Sequence, residues 1–101
     1  MAKQVIWSKR AFDDRKAILE YWIERNQSIT YSKRLNQIFE NTIELISKFP
    51  KLGKKTIVPD IRIKIVKDYF ITYRETKTNV EILTIWDYRQ DPIDFVRILR
   101  K

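Results

Sequence analysis

The spacing of apolar residues changes near residue 50, and this change limits the folds open to the chain. Before Pro50 apolar residues recur every three to four positions, which is the spacing of one helix face. After Gly53 they alternate along short segments, which is the spacing of β-strands. Proline and glycine both end helices, so these two residues separate the halves. The sequence therefore predicts a helical half followed by a sheet.

Two helices are predicted before Pro50. The first runs from residue 9 to about residue 25, and Ser8 is suited to cap it, because its hydroxyl can accept from a free amide of the first turn. A turn at residues 26–28 leads to the second helix, and so short a connection makes the pair an antiparallel hairpin. The residues expected to face the core are Ala11, Phe12, Ile18, Leu19, Trp22 and Ile23 in the first helix, and Tyr31, Leu35, Ile38, Phe39, Thr42, Ile43, Ile46 and Phe49 in the second.

The second half predicts three strands joined by tight turns, one near Asp68 and one at residues 76–79. Such strands form an antiparallel meander. A short N-terminal strand is expected to join the same sheet, and the tail from Ile93 could form a short closing helix. The predicted strands are residues 3–7, 61–66, 69–74 and 80–86.

The predicted fold class is therefore α+β. We expect one two-layer β-α-α-β-β-β domain over residues 1–101, with the helix hairpin packed on one face of a mainly antiparallel twisted sheet. A chain of 101 residues is long enough for one compact domain and too short for two.

Composition excludes several kinds of chemistry. The chain has no cysteine and no histidine, so it offers no thiol nucleophile, no histidine base and no ordinary zinc site. A single glycine rules out a glycine-rich phosphate loop. We expect no metal and no cofactor. The sequence also has no apolar run near the roughly 20 residues of a membrane span, and no signal-peptide pattern, so a cytoplasmic protein without membrane contact is expected.

Positive charge is concentrated in one segment. The net charge is +8, and residues 51–67 contain six lysines and arginines against the single acid Asp60. Such an excess favours a polyanion or an acidic protein partner, and the alternative is a solvated basic surface with no specific partner.

Alternation along the strands suggests where this charge lies. If Ile61, Ile63 and Ile65 face the helices, the intervening Arg62 and Lys64 lie on the open face of the sheet. By the same parity Phe70, Thr72 and Arg74 would share that open face, which could hold a phosphate backbone with a base stacked on Phe70. The candidate target-binding residues are Lys51, Lys54, Lys55, Arg62, Lys64, Phe70, Arg74 and Arg89.

Phosphate chemistry assisted by cations remains open to such a chain. Arg62, Lys64 and Arg89 could neutralise the charge that develops when an RNA 2′-hydroxyl attacks its neighbouring phosphate. Asp87 and Asp91 flank Arg89 and could orient it, or they could cap the turn. A proton carrier is also needed, and the candidates are Tyr88, Asp87, Asp91 and Glu75. If the protein is a nuclease, the predicted catalytic residues are Arg62, Lys64, Arg89, Tyr88 and Asp91.

The order of these motifs resembles the RelE/ParE superfamily of type II toxin–antitoxin toxins over essentially the whole chain. The resemblance implies a bacterial toxin encoded beside an antitoxin that wraps around it and blocks its working surface. We expect this antitoxin to place an acidic or amphipathic segment on the sheet and its basic neighbours. The segments that carry the resemblance are Trp7-Ser8, the hairpin end Phe49-Pro50-Lys51-Leu52-Gly53, and the strand segments at residues 62–65, 69–74 and 82–92.

The resemblance implies two alternative activities. RelE-like toxins cut messenger RNA in the ribosomal A site with lysines and arginines, and Arg62, Lys64 and Arg89 match those positions. ParE-like toxins instead poison DNA gyrase. This chain has Phe70 where nuclease members often carry arginine, and Phe95 where some place a tyrosine. These departures favour a ParE-like, gyrase-directed toxin. The alternatives are a ribosome-dependent mRNA endonuclease and a nucleic-acid or protein-binding module that has lost toxicity.

Overall fold

A computed structural model describes residues 2–89, which form two helices and a five-stranded sheet. The α+β class and the β-α-α-β-β-β order are confirmed, and one short strand, β2, was not predicted. The elements are β1 (Gln4–Trp7), α1 (Lys9–Asn26), α2 (Thr30–Lys48), β2 (Lys54–Lys55), β3 (Ile61–Val66), β4 (Tyr69–Glu75) and β5 (Asn79–Asp87). The predicted closing helix, Asp91 and Phe95 lie outside the described residues.

The strand order in the sheet is β1-β5-β4-β3-β2. The helix hairpin leads from β1 to β2 at the opposite edge of the sheet. β1 pairs with β5 in parallel, and the other three pairings are antiparallel. The sheet is therefore mainly antiparallel, as expected. Within residues 2–89 no helix combines the length and the apolar character needed to cross a membrane.

Local signals fix the ends of α1. The Ser8 hydroxyl accepts a hydrogen bond from the Ala11 amide at 2.9 Å, so the predicted cap is confirmed. The same hydroxyl donates to the Leu83 carbonyl of β5 at 2.9 Å, which ties the helix start to the sheet. At the other end Gln27 adopts a left-handed conformation with φ 51° and stops the helix.

The main core lies between the hairpin and the sheet. The α2 stripe is confirmed at Leu35, Phe39, Ile43 and Ile46. Three expected core residues are exposed instead: Phe12 at 61%, Phe49 at 60% and Ile23 at 38%. Phe12 follows the buried Ala11 by about 100° around the helix, which turns it outward. Phe49 follows the last helical residue with φ −131°, so it leaves the α2 stripe.

The prediction of which β3 side chains face the helices is wrong. The two-residue turn at Lys67 and Asp68 sets Val66 opposite Tyr69, and paired residues of antiparallel strands point to the same face. Arg62 pairs with Tyr73 and Lys64 with Ile71, and these partners belong to the core under the helices. Arg62 and Lys64 therefore lie on the helix side of the sheet, and not on the open face as expected.

The isoleucines of β3 occupy the outer face of the sheet, opposite the helices. Ile61 and Trp86 are buried there, in a second apolar cluster packed with Val58, Ile63, Phe70 and Leu83. This cluster explains the wrong prediction, since Ile61 and Ile63 of β3 pack in it on the outer face and do not face the helices. Phe70, Thr72 and Arg74 share this outer face, as the alternation predicted.

Candidate functional site

The loop after α2 is fastened to the sheet by a buried tyrosine. The Tyr73 hydroxyl donates to the Pro50 carbonyl at 2.7 Å and accepts from the Gly53 amide at 2.8 Å. A Cβ on Gly53 would lie 2.6 Å from that hydroxyl oxygen and 2.9 Å from the Ile63 carbonyl oxygen. Glycine is therefore required here because the backbone approaches β3 and β4 so closely.

This fastened loop holds Arg62. Its Nη1 donates to the Gly53 carbonyl at 2.8 Å and to the Lys51 carbonyl at 3.3 Å. Both acceptors are neutral, and among residues 2–89 no carboxylate forms an ion pair with Arg62. The guanidinium is thus positioned while its positive charge stays unbalanced by a direct partner.

Arg62 lines a cavity of about 410 Å³ at the β2–β3 edge of the sheet. We call this cavity the Arg62 pocket. One wall is apolar, and the remaining lining carries charges of both signs. Its lining residues are Lys51, Lys55, Thr56, Val58, Pro59, Asp60, Ile61, Arg62 and Glu75.

Glu75 is the acid at one side of the Arg62 pocket. It forms an ion pair with Lys3 at 2.8 Å between Nζ and Oε2. The hydrogen bond from Lys3 is the main cause that lowers the pKa of Glu75, and the positive charges of Lys51 and Arg62 add to it. The Glu75 carboxylate is therefore ionised at neutral pH and already paired with a lysine.

Arg89 is held in a different way, by a carboxylate. Its Nε donates to Asp87 Oδ1 at 3.0 Å and its Nη2 to Asp87 Oδ2 at 2.7 Å. We call this bidentate pair the Arg89 clamp. The hydrogen bond from Arg89 lowers the pKa of Asp87, and the same contact raises the pKa of Arg89. Asp87 thus orients the Arg89 side chain, and its Oδ1 also accepts from the Arg89 backbone amide at 2.9 Å, which caps the turn.

The Tyr88 side chain also has a hydrogen-bond partner. Its hydroxyl donates to Asp68 Oδ1 at 3.1 Å, and this hydrogen bond raises the pKa of Tyr88. A raised pKa makes the phenol a poorer proton donor at neutral pH. The Tyr88 ring lies beside Phe70, with 5.6 Å between the ring centroids.

The structure does not bring the predicted catalytic cations together. Arg62 pairs with Tyr73, while Asp87, which holds Arg89, pairs with Tyr69. Four positions along β4 separate these points by roughly 14 Å, and two strand spacings add to that separation. Lys64 lies between them, opposite Ile71.

The remaining predicted binding residues are divided between the two faces. Lys55 pairs with Arg62 across β2 and β3, whereas Lys54 pairs with Ile63 and so lies on the outer face. Arg74 is on the outer face as well, where its Nη2 pairs with Glu81 Oε1 at 2.9 Å. Within residues 2–89 no group of three acids is arranged to hold a metal ion.

Sequence reasoning missed Tyr73 and Gly53, the residues that position Arg62. One signal for them was available, since the only glycine of the chain stands three residues after Pro50, beside a basic segment. Their contact joins residues 20 positions apart, and periodicity does not detect such contacts.

Comparisons with known proteins agree with this architecture. The family model of the ParE toxin of the type II toxin–antitoxin system parDE matches residues 5–92. A search of curated proteins finds no match. A solved structure described as the chromosomal ParDE TA system from P. aeruginosa has a similar fold, with a TM-score of 0.73 at 16% identity, and the match covers 83% of this chain and 94% of that chain. The family match extends from β1 past the end of β5, and the chain therefore belongs to the ParE toxin family of type II toxin–antitoxin systems, within the RelE/ParE superfamily.

Proposed function

We propose that this type II toxin acts in the cytoplasm by binding DNA gyrase, and that a cognate antitoxin inhibits it. The observation that carries the proposal is the separation of Arg62 from the Arg89 clamp. Cations that stabilise a phosphorus transition state must converge on one phosphate, within a few ångströms of its oxygens. Here they are spread along the sheet, and Arg89 is already neutralised by Asp87.

The antitoxin part of the proposal is supported by the family and by the related structure. The latter is described as a chromosomal ParDE TA system, which is a toxin–antitoxin system. The net charge of +8 on the present chain suits a partner with acidic segments.

A ribosome-dependent mRNA endonuclease is the second candidate. One observation favours it, since Arg62 and Lys64 lie on the same side of β3 and Arg62 has no ion-pair partner among the described residues. Under this alternative Arg62 and Lys64 would bind the RNA phosphates, and Arg89 would have to leave Asp87 to join them.

Two parallel assays test the proposal. The protein is expressed without antitoxin, and message ends are mapped on translating ribosomes. Purified toxin is added to a DNA gyrase supercoiling reaction. We expect supercoiling to be inhibited and message ends to stay unchanged.

The same assays can overturn the proposal. Cleavage within codons that Arg89→Ala abolishes, in a variant with an unchanged melting temperature, would contradict gyrase binding and support the endonuclease. Normal growth on induction would contradict both and leave the non-toxic binding module.

A further inference from the structure

The Arg62 guanidinium has one edge that its own chain does not use. Arginine has five N–H donors, and the two on Nη1 are taken by the carbonyls of Gly53 and Lys51. Among residues 2–89 no acceptor bonds to its Nε or Nη2. These two nitrogens form the fork that binds a carboxylate or phosphate with two parallel hydrogen bonds.

The surroundings favour an anion at this fork. Lys51 and Lys55 line the same cavity, and no acid among residues 2–89 pairs with either of them. An anion held by Arg62 would therefore lie near three positive charges, and of the two acids in the same lining, Asp60 and Glu75, the second is already paired with Lys3. The cavity of about 410 Å³ has room for a carboxylate-bearing side chain.

The rest of the lining distinguishes a protein from a nucleic acid. Asp60 and Glu75 face the same cavity, and both would repel a backbone that carries a negative charge at every nucleotide. A protein segment can instead place one acid at Arg62 and neutral residues beside these carboxylates. Val58, Pro59 and Ile61 supply an apolar wall against which such neutral residues can pack.

We propose that the Arg62 pocket binds an acidic side chain, flanked by apolar residues, from the cognate antitoxin. The proposal rests on the proposed function, which supplies the antitoxin as partner, and it adds the surface and the chemistry of the contact. The carboxylate accepts from Nε and Nη2 of Arg62, while Lys51 and Lys55 add long-range attraction.

Affinity measurements on the purified toxin and its antitoxin test this contact. We expect Arg62→Gln to weaken antitoxin binding about 10- to 100-fold, because hydrogen bonds to a charged partner are lost. Arg62→Lys keeps the charge without the fork and is expected to restore only part of the affinity. The matched control is Arg25→Gln, which removes an exposed arginine from the last turn of α1, outside the pocket lining, and is expected to change affinity less than about twofold.

Arg62→Gln also removes the hydrogen bonds to the loop, so a second variant keeps the test decisive. Lys51→Gln with Lys55→Gln removes two pocket charges and keeps both hydrogen bonds of Arg62, since Lys51 binds Arg62 through its backbone carbonyl. We expect this double variant to bind antitoxin more weakly while its melting temperature stays unchanged.

A single-stranded RNA of 12 nucleotides, used as a probe at the same ionic strength, separates the two anion classes. Unchanged antitoxin affinity in Arg62→Gln and in the double variant overturns the pocket proposal and leaves the proposed function intact. A loss of RNA affinity without a loss of antitoxin affinity also overturns it, since the pocket would then bind phosphate. If the wild-type toxin does not bind the antitoxin at all, the proposed function itself fails.

Discussion

Arg62 and Arg89 use the same chemical group in opposite ways. Arg89 gives its Nε and Nη2 to the Asp87 carboxylate. Arg62 is held through Nη1 by the carbonyls of Gly53 and Lys51, so its Nε and Nη2 have no partner among residues 2–89. One arginine is fixed by neutralising it, and the other is fixed while its charge remains available.

The difference shows that a basic residue near a strand end does not by itself mark a binding site. What matters is whether the group that orients the arginine also neutralises it. Carbonyl oxygens orient a guanidinium without balancing its charge, whereas a carboxylate does both. The Arg62 pocket therefore depends on the loop that presents those carbonyls.

Gly53→Ala tests that dependence and should have the largest effect. The added Cβ would meet the Tyr73 hydroxyl at 2.6 Å and the Ile63 carbonyl oxygen at 2.9 Å, so the loop or β3 must move. We expect the free energy of unfolding to fall by about 2–3 kcal/mol, as in overpacked cores, measured by urea denaturation.

The neighbouring residue provides the control for Gly53→Ala. Lys54 is exposed, so Lys54→Ala should change the free energy of unfolding by less than about 0.5 kcal/mol. Equal stability of Gly53→Ala and Lys54→Ala would mean that the loop adapts easily, and that Arg62 is less firmly positioned than its contacts indicate.

Tyrosine-to-phenylalanine substitutions compare the stability of the regions around the two arginines. Tyr73→Phe leaves both the Pro50 carbonyl and the Gly53 amide without their partner, so we expect a loss of about 2 kcal/mol. Tyr69→Phe, nearer the Arg89 clamp, removes only the acceptor of the Trp22 indole N–H and should cost about 1 kcal/mol. Thermal unfolding of both variants checks the order, and a larger loss in Tyr69→Phe would contradict it.

The fold could be predicted well because its signals are local. Ser8 caps α1, and Tyr69, Ile71 and Tyr73 face the core as their alternation indicates. The faces of the β3 side chains were predicted wrongly, because hydrophobicity alone cannot distinguish the two faces of a sheet when both bury apolar residues. The two-residue turn before Tyr69 held the needed information, since it fixes the register and with it the face of Arg62.

The candidate site could be predicted only as a list of cations. The excess of charge at residues 51–67 is visible in the sequence, but whether each charge is neutralised depends on side-chain geometry. Asp87 was recognised as a neighbour of Arg89. The anchoring of Arg62 was not foreseen, because it depends on Tyr73, which is distant in sequence and appears there only as a core residue.

Asp87→Asn would make the Arg89 clamp resemble the Arg62 pocket. An amide cannot match both N–H donors as a carboxylate does, so the positive charge of Arg89 becomes available. We expect the affinity for single-stranded RNA to rise about two- to fivefold, and the slope of log affinity against log salt to steepen by about 0.7, the value of one added phosphate contact.

Net charge alone could also raise that affinity, so a matched variant is needed. Glu20→Gln removes one negative charge from an exposed position on α1 and releases no arginine. An equal rise in RNA affinity for Glu20→Gln and Asp87→Asn would show that Arg89 is not specifically released.

Protonation of the carboxylates that pair with Arg89 and Lys3 should reduce the free energy of unfolding, and we expect this effect to be the smallest. Contacts with Arg89 and with Lys3 hold the pKa values of Asp87 and Glu75 below their ordinary ranges. A carboxyl with a lowered folded-state pKa stabilises the fold above its unfolded-state pKa, and this contribution is lost as the pH falls below about 4 and through the folded-state value. Burial raises the pKa of Asp14, so the contribution of that carboxyl to stability changes with pH in the opposite direction and offsets part of the loss.

Urea denaturation between pH 6 and pH 3 should therefore show a shallower loss of stability in Asp87→Asn and in Glu75→Gln than in the wild type. Parallel curves for all three proteins would mean that neither ion pair distinguishes the folded from the unfolded chain.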